Sequence, residues 1–82
     1  MIFHAEARIE LKAGVIDAEG ETVQKSLRLL GYPTTKVNTI KVYSIEIDAG
    51  SREEAEKRID DACKRLLANP VVQNYSVSVK NV

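Results

Sequence analysis

The chain is poor in the residues that usually carry chemistry. Its 82 residues include one cysteine, one histidine and no tryptophan, with three tyrosines and one phenylalanine as the only aromatic rings. A single cysteine excludes an internal disulfide and cannot build a metal site by itself. Scattered rings do not form the stacking platform of a nucleic-acid binder. We therefore expect no disulfide, no thiolate metal centre and no base-stacking surface.

The chain also lacks an excess of charge of either sign and long apolar runs. Twelve basic and twelve acidic residues cancel to a net charge of zero, whereas nucleic-acid binders usually carry a basic excess. No apolar run approaches the roughly 20 residues of a membrane span. In the first residues of the chain, apolar side chains alternate with charged ones, unlike the continuous apolar core of a secretory signal. We expect a cytoplasmic protein that binds neither nucleic acid nor membranes.

The length suits one domain, which we assign to residues 1–82. A domain this small buries only about 60% of the surface that its unfolded chain exposes, so its stability is marginal without further burial. A symmetric homo-oligomer is the commonest remaining way to bury more. We therefore expect a homodimer or homotetramer.

The first half of the chain predicts a strand and then a helix. Apolar residues alternate with polar ones up to Lys12, namely Phe3, Ala5, Ala7, Ile9 and Leu11. Asp17 is a candidate helix N-cap, and Gly31 is placed to end that helix in a left-handed conformation. Between them one apolar stripe falls at helical spacing: Val23, Leu27 and Leu30.

The middle stretch, residues 36–48, is predicted to be a strand in which the apolar residues change from even-numbered to odd-numbered positions. Ile40 and Val42 occupy one parity, and Tyr43, Ile45 and Ile47 occupy the other. The stretch could bulge near residues 41–43, could be buried on both faces (by helices and by a partner subunit), or could be two strands joined by a tight turn.

A second helix and a last strand follow. Ser51 and Glu54 form a capping box, and Asn69–Pro70 ends the helix. The predicted apolar stripe of this helix is Ala55, Ile59, Ala62 and Leu66. Alternation then resumes at Tyr75, Val77 and Val79.

The order strand-helix-strand-helix-strand predicts an α+β fold related to the ferredoxin-like plan. It would be a two-layer sandwich in which two helices cover one face of a small, mainly antiparallel sheet. A full version of that plan has four strands. The middle strand is therefore either split, or the sheet is extended by oligomerisation.

No constellation of reactive side chains is visible. His4 shares a strand face with Glu6 but has no nucleophile assigned beside it, so a surface histidine is the simpler interpretation. Cys63 lies beside an apolar stripe and reads as a small buried side chain. Gly14 and Gly20 match no phosphate-binding motif and suit turn and cap positions. We therefore assign no catalytic, cofactor-binding or metal-binding residue.

Several segments, in order and at their spacing, resemble the PurS family, the small subunit of phosphoribosylformylglycinamidine synthase. They are Val15-Ile16-Asp17, Gly20, Val23, Gln24-Lys25, Leu27, Leu30-Gly31-Tyr32, Glu54-Ala55, Leu66 to Val72, and Tyr75. Relatives often place a Gly-Lys pair where this chain has Ile40-Lys41, which argues against a tight turn there.

The resemblance implies a non-catalytic assembly subunit of de novo purine biosynthesis. Such a subunit bridges the ATP-dependent synthetase subunit and the glutaminase subunit and aids the transfer of ammonia between them. ATP, magnesium and glutamine are used by the whole complex, and none is expected to bind this subunit. The alternative is a ferredoxin-like regulatory module that binds a small molecule, with Ala13-Gly14 as its loop.

An assembly subunit acts through its surfaces, and two segments are our hypothesis for the partner interface. One is the middle strand at Lys41, Val42 and Tyr43. The other is the turn and strand that carry Asn69, Pro70 and Tyr75.

Overall fold

A computed structural model describes residues 1–81 and contains the three strands and two helices in the predicted order. The elements are β1 (Ile2–Leu11), α1 (Ala18–Leu29), β2 (Ile40–Asp48), α2 (Arg52–Ala62) and β3 (Gln73–Asn81). A π-helical turn, Cys63–Leu67, extends α2. The predicted α+β class is confirmed. Within residues 1–81, neither α1 nor α2 is long and apolar enough to cross a bilayer.

The first strand lies at the centre of the sheet. The strand order is β2-β1-β3, and both pairings are antiparallel. Ala5 illustrates the register, because it lies opposite Ile45 on one side and Val79 on the other. Period-two alternation therefore places most apolar residues of the three strands on one side of the sheet. We call this the helix side and the opposite side the open face.

The middle strand is single and regular. Its pairing with β1 runs from Ile2–Asp48 to Glu10–Ile40 without an extra residue on either strand. The bulge and the two-strand interpretation are therefore both wrong, since each would interrupt this register. The parity change remains real: Tyr43 lies on the helix side, whereas Val42 lies on the open face and is 54% exposed. Burial of both faces by a partner stays a prediction.

The core lies between the sheet and α2, which packs on β1 and β3. Small side chains allow close approach there, since Ala5, Ala7 and Ala55 are fully buried. Phe3 and Ile59 fill the remaining space at 2% and 3% exposure. Apolar burial of this kind is the main stabilising term of the fold.

The apolar stripe of α2 differs from the predicted one at its end. Ala55, Ile59 and Cys63 are buried, whereas Leu66 is 82% exposed. The reason is the π-helical turn, in which the Ala68 amide donates to the Cys63 carbonyl at 2.9 Å. This wider turn advances fewer degrees per residue than an α-helix. It therefore brings Leu67, and not Leu66, toward the core.

The first helix has the predicted ends but little packing on the sheet. Asp17 caps its start, where the Gly20 amide donates to Asp17 Oδ1 at 2.8 Å. Its end is a Schellman motif: Gly31 has φ +96°, and the Tyr32 amide donates to the Leu27 carbonyl at 3.0 Å. Gly20 is the only buried residue of the helix.

Candidate interaction surfaces

The segment after α1 runs back along the helix and is tied to it. We call residues 32–39 the strap. Gln24 Nε2 donates to the Thr35 carbonyl at 3.1 Å, and Arg28 Nη1 donates to the Thr34 carbonyl at 2.9 Å. Gln24 and Arg28 are four residues apart and therefore lie on one face of α1. That face of the helix belongs to the strap and not to the sheet.

Asp17 closes the other end of the strap. One oxygen of its carboxylate accepts from the Gly20 amide, and the other accepts from the Thr39 amide. The hydrogen bond from Thr39, followed by that from Gly20, lowers the pKa of the Asp17 carboxyl, because both stabilise its charged form. Gly20 itself touches the strap, since a Cβ at this position would overlap the Val37 carbonyl oxygen. Helix and strap therefore form one tied unit.

A cavity of about 410 Å³ lies at the root of this unit, between the end of β1 and the strap. Its lining carries both signs of charge, from Glu10, Glu21, Lys12 and Lys36 among others. Gly14 also lines it, in a turn with φ +85° that favours glycine. Mixed charges around an open cavity select no single ligand.

The helix side of β2 is incompletely covered. Tyr43, Ile45 and Ile47 pack against the core from one side but are only partly buried. We call these three residues the β2 row. Within residues 1–81, α2 makes its sheet contacts with β1 and β3, and no helix packs on β2 to a similar extent. The β2 row is thus an apolar surface at the edge of the sheet.

The open face of the sheet is mostly polar, with Ile2 at one end and a pair of apolar residues at the other. Ile40 and Val42 are that pair, opposite Glu10 and Arg8 of β1. At the other end of the face, His4 Nε2 and Ser44 Oγ are 3.2 Å apart. His4 therefore takes part in a strand-to-strand contact, in agreement with its interpretation as a surface histidine.

The turn between α2 and β3 is held by local hydrogen bonds. Asn69 Oδ1 accepts from the Val71 amide at 3.0 Å, and Gln73 Oε1 accepts from the Asn69 amide at 2.7 Å. The Val72 carbonyl accepts from the Lys12 amide at 2.8 Å, which ties the turn to the end of β1. The result is an ordered turn that exposes the apolar side chain of Val71.

Tyr75 fastens β3 to α2. Its hydroxyl donates to Asp60 Oδ1 at 2.8 Å, and Lys64 Nζ lies 3.1 Å from Asp60 Oδ2. The hydrogen bond from Tyr75, followed by that from Lys64, lowers the pKa of the Asp60 carboxyl. The same hydrogen bond raises the pKa of the Tyr75 hydroxyl.

The predicted interface residues occupy three places. Lys41 and Tyr75 share a row on the helix side, because both lie opposite Ile9, on the two edges of the sheet. Tyr43 lies on the same side, whereas Val42 points to the open face. Asn69 and Pro70 lie in the turn between α2 and β3, which the Lys12–Val72 hydrogen bond ties to the end of β1. Their role in binding a partner stays a prediction.

Sequence reasoning missed the uncovered β2 row and the separation of α1 from the sheet. The two-layer plan placed the stripe of Val23, Leu27 and Leu30 on the sheet beside α2, whereas α1 makes few contacts with the sheet. In the structure Leu30 is 75% exposed and Val23 is 42% exposed.

The reactive groups offer little to a substrate. Cys63 is fully buried, and burial, followed by the nearby Asp60 charge, raises the pKa of its thiol. Within the part of the chain that the structure describes, no three or more His, Cys, Asp or Glu side chains gather as metal ligands would. The surfaces are therefore the features that can carry a function.

Comparison with known proteins identifies relatives of the whole chain. The family model described as PurS, phosphoribosylformylglycinamidine (FGAM) synthase, matches residues 4–81. The phosphoribosylformylglycinamidine synthase subunit PurS of Archaeoglobus fulgidus is 57% identical over 74 residues, which cover 89% of this chain and 92% of that protein.

Solved structures match equally well. PurS from Methanocaldococcus jannaschii, one of the subunits of formylglycinamide ribonucleotide amidotransferase, superposes with a TM-score of 0.88 at 36% identity and covers 98% of both chains. A chain in the structure of PurLQS from Thermotoga maritima gives a TM-score of 0.89 at 32% identity, with 98% of this chain and 99% of that chain covered.

Proposed function

Because this chain belongs to the PurS family, we propose that it is the non-catalytic assembly subunit of phosphoribosylformylglycinamidine synthase in purine biosynthesis. The observation that carries the proposal is the similarity, over nearly the full length of both chains, to a chain of the Thermotoga maritima PurLQS structure. In this role the chain bridges the ATP-dependent synthetase subunit and the glutaminase subunit.

The distribution of chemistry in the chain supports a bridging role. Its only thiol is buried, and its lone histidine contacts a neighbouring strand. By contrast, large apolar side chains such as Leu29, Leu66 and Val71 are exposed, as protein contacts require. ATP, magnesium and glutamine are then handled by the partner subunits, and this chain binds none of them.

A bridge of this kind would act on ammonia. Ammonia released by the glutaminase must reach the synthetase site before it is lost to bulk water. Holding the two sites in register raises the effective concentration of ammonia at the second site and shields it from solvent. We further propose that the chain works as a homo-oligomer in the cytoplasm, where purine biosynthesis takes place.

Reconstitution tests the bridging role. The chain is mixed with the synthetase and glutaminase subunits of its own organism, and the amidation of formylglycinamide ribonucleotide is measured with glutamine as nitrogen donor. We expect activity to depend on the chain and to saturate as its concentration rises.

The matched control replaces glutamine with an ammonium salt. Ammonia-dependent amidation should persist without the chain, because the synthetase then needs no bridge. Glutamine-dependent activity that is unchanged when the chain is omitted would refute the proposal. Saturable binding of a metabolite to the isolated chain in calorimetry would instead favour the regulatory module.

A further inference from the structure

The outer edge of β3 carries backbone groups that no strand uses. β3 pairs with β1 on one side, and within residues 1–81 no strand pairs with its other side. The Lys12 amide donates to the Val72 carbonyl, and these residues lie opposite each other when the β1–β3 register is continued by one pair. Because the backbone groups of successive residues point to opposite sides of a strand, the even-numbered residues of β3 bond to β1. The amides and carbonyls of Tyr75, Val77 and Val79 therefore point to the free edge.

The sequence of β3 does little to block pairing at this edge. Natural sheets protect a free edge with charged residues, proline or a bulge. β3 contains no proline, its register with β1 has no bulge, and its residues before Lys80 are uncharged. The free edge of β2, by contrast, carries Lys41, Glu46 and Asp48. Of the two edges, that of β3 is the better suited to accept a further strand.

A groove of about 490 Å³ lies beside the β3 edge. Its lining residues belong to α2 and β3 and none to the central strand, so the groove is at the outer side of the sheet. The α2 wall carries three acidic side chains, Glu53, Glu56 and Asp60, and one basic side chain, Lys57. The acids are three and four residues apart and therefore form one stripe along the helix. We call these three residues the acidic stripe.

The fold leaves part of the acidic stripe without a counter-charge. Other acids of α2 form salt bridges along the helix, as Glu54 does with Arg58 at 3.2 Å. Neither Glu53 nor Glu56 forms a salt bridge within residues 1–81. Glu56 also lies four residues before Asp60, a spacing at which like charges destabilise a helix. The groove therefore has an excess of negative charge that a basic ligand would neutralise.

We propose that the β3 edge and the acidic stripe bind an extended basic segment of a partner subunit, which adds to the sheet as a further strand. Its backbone pairs with Tyr75 and Val77, as in other cases of strand addition. Residues directly opposite each other in paired strands share a face, so the residues opposite Tyr75 and Val77 point to the helix side, where the acidic stripe lies. The segment therefore has lysine or arginine at alternate positions. The inference rests on the proposed function, which supplies the partner subunits.

A second copy of this chain is a poor occupant of the same edge. Antiparallel pairing with the β3 of another copy would bring two acidic stripes together, and like charges facing each other disfavour association. That strand would also present apolar side chains, Tyr75 and Val77, where the acidic stripe calls for cations.

Hydrogen–deuterium exchange resolved to single residues tests the pairing in the chain alone and in its complex with each synthase subunit. In the chain alone, the amides of Tyr75 and Val77 should exchange faster than those of Ser76 and Ser78, which bond to β1. Binding of the subunit that supplies the segment should slow exchange at Tyr75 and Val77 by at least about tenfold, because their amides then become hydrogen-bonded.

A synthetic peptide tests the charge preference separately. A short end-blocked peptide that alternates lysine with valine should bind the chain in calorimetry and protect the same two amides, Tyr75 and Val77. The same peptide with glutamate in place of each lysine should not bind. The double variant Glu53→Gln/Glu56→Gln should weaken binding of the lysine peptide by about threefold to tenfold at low salt, because exposed ion pairs are individually weak and screened by salt.

A matched double variant controls for net charge. Asp61→Asn/Glu46→Gln also removes two acids, but Asp61 is outside the groove lining and Glu46 lies on the open face of β2. Binding of the lysine peptide should therefore stay as in the wild type. Circular dichroism checks that both double variants fold.

Three outcomes would overturn the inference: slow exchange of Tyr75 and Val77 in the chain alone, partner subunits that bind without slowing it, or equal binding of the lysine and glutamate peptides. The first would show that a second copy covers the edge. Each leaves the proposed function intact if glutamine-dependent synthase activity still requires the chain. Protection of these amides by a partner subunit, in a system whose activity does not require the chain, would instead keep this surface and remove the proposed function.

Discussion

A methyl group at Gly20 tests whether the strap holds α1 in place. Gly20 is the third residue of α1 and its only buried one. An added Cβ would overlap the Val37 carbonyl oxygen and lie 2.8 Å from Asp17 Oδ2. The Asp17 side chain can rotate away, but Val37 contributes backbone, so relief requires the strap to move. The same displacement disturbs the carboxylate that caps the helix.

The expected change in stability is the balance of two destabilising terms and one stabilising term. Overlap of this kind costs about 1–3 kcal/mol, and a weakened N-cap costs about 1 kcal/mol more. Replacing a helical glycine with alanine returns about 1 kcal/mol. We therefore expect Gly20→Ala to lower the free energy of unfolding by about 1–3 kcal/mol, which lowers Tm by at least about 5 °C in a domain of this size.

Chemical denaturation followed by circular dichroism measures the effect. All variants are compared at one chain concentration, because self-association shifts apparent stability. Ser26→Ala is the matched control, since Ser26 is exposed in the same helix and its change should be neutral or slightly stabilising. A Gly20→Ala chain as stable as the wild type would refute the tight contact between helix and strap.

Three further predictions follow from single contacts. Gly31→Ala should lower the free energy of unfolding by about 1–2 kcal/mol in the same assay, because alanine is strained at the φ of +96° that ends α1. Tyr75→Phe should raise the pKa of the Asp60 carboxyl in an NMR titration, because it removes the hydrogen bond that lowers this pKa most. The lowered pKa of Asp60 stabilises the folded chain at pH values above the pKa that Asp60 has in the unfolded chain. This stability is lost as the pH falls through the pKa of Asp60 in the folded chain. The wild type should therefore lose more stability on acidification than Tyr75→Phe. Cys63 should react with a thiol reagent only at the rate of unfolding and at once in denaturant, because it is fully buried; rapid reaction of the folded chain would contradict this.

The loss of Leu66 from the α2 stripe shows where helical spacing stops being informative. Counting 3.6 residues per turn places Leu66 beside Ala55 and Ile59. The π-helical turn from Cys63 changes that count. No residue type in Cys63–Leu67 is specific to a π-helical turn, so residue spacing alone could not predict it.

The candidate interface also contains features that the sequence could predict and features that it could not. The sequence showed that apolar residues occupy both even and odd positions of the middle strand. Because the strand is single, Val42 and Tyr43 therefore lie on opposite faces. The uncovered β2 row was not readable, because it depends on which strands α2 packs against. That choice is a contact between elements distant in the chain.

Local features of this protein could be predicted from neighbouring residues: the strand alternation, the Asp17 cap, the Ser51 cap (its Oγ accepts from the Glu54 amide), the Gly31 helix end and the end of the second helix before Pro70. Each depends on residues a few positions apart, whose hydrogen bonds and conformational limits act within one turn or strand. The β2-β1-β3 order, the unbroken register of the middle strand and the separation of α1 from the sheet became known only from the folded chain. These depend on pairing across the chain and on the strap, where many weak contacts between distant segments compete and no single residue decides the outcome.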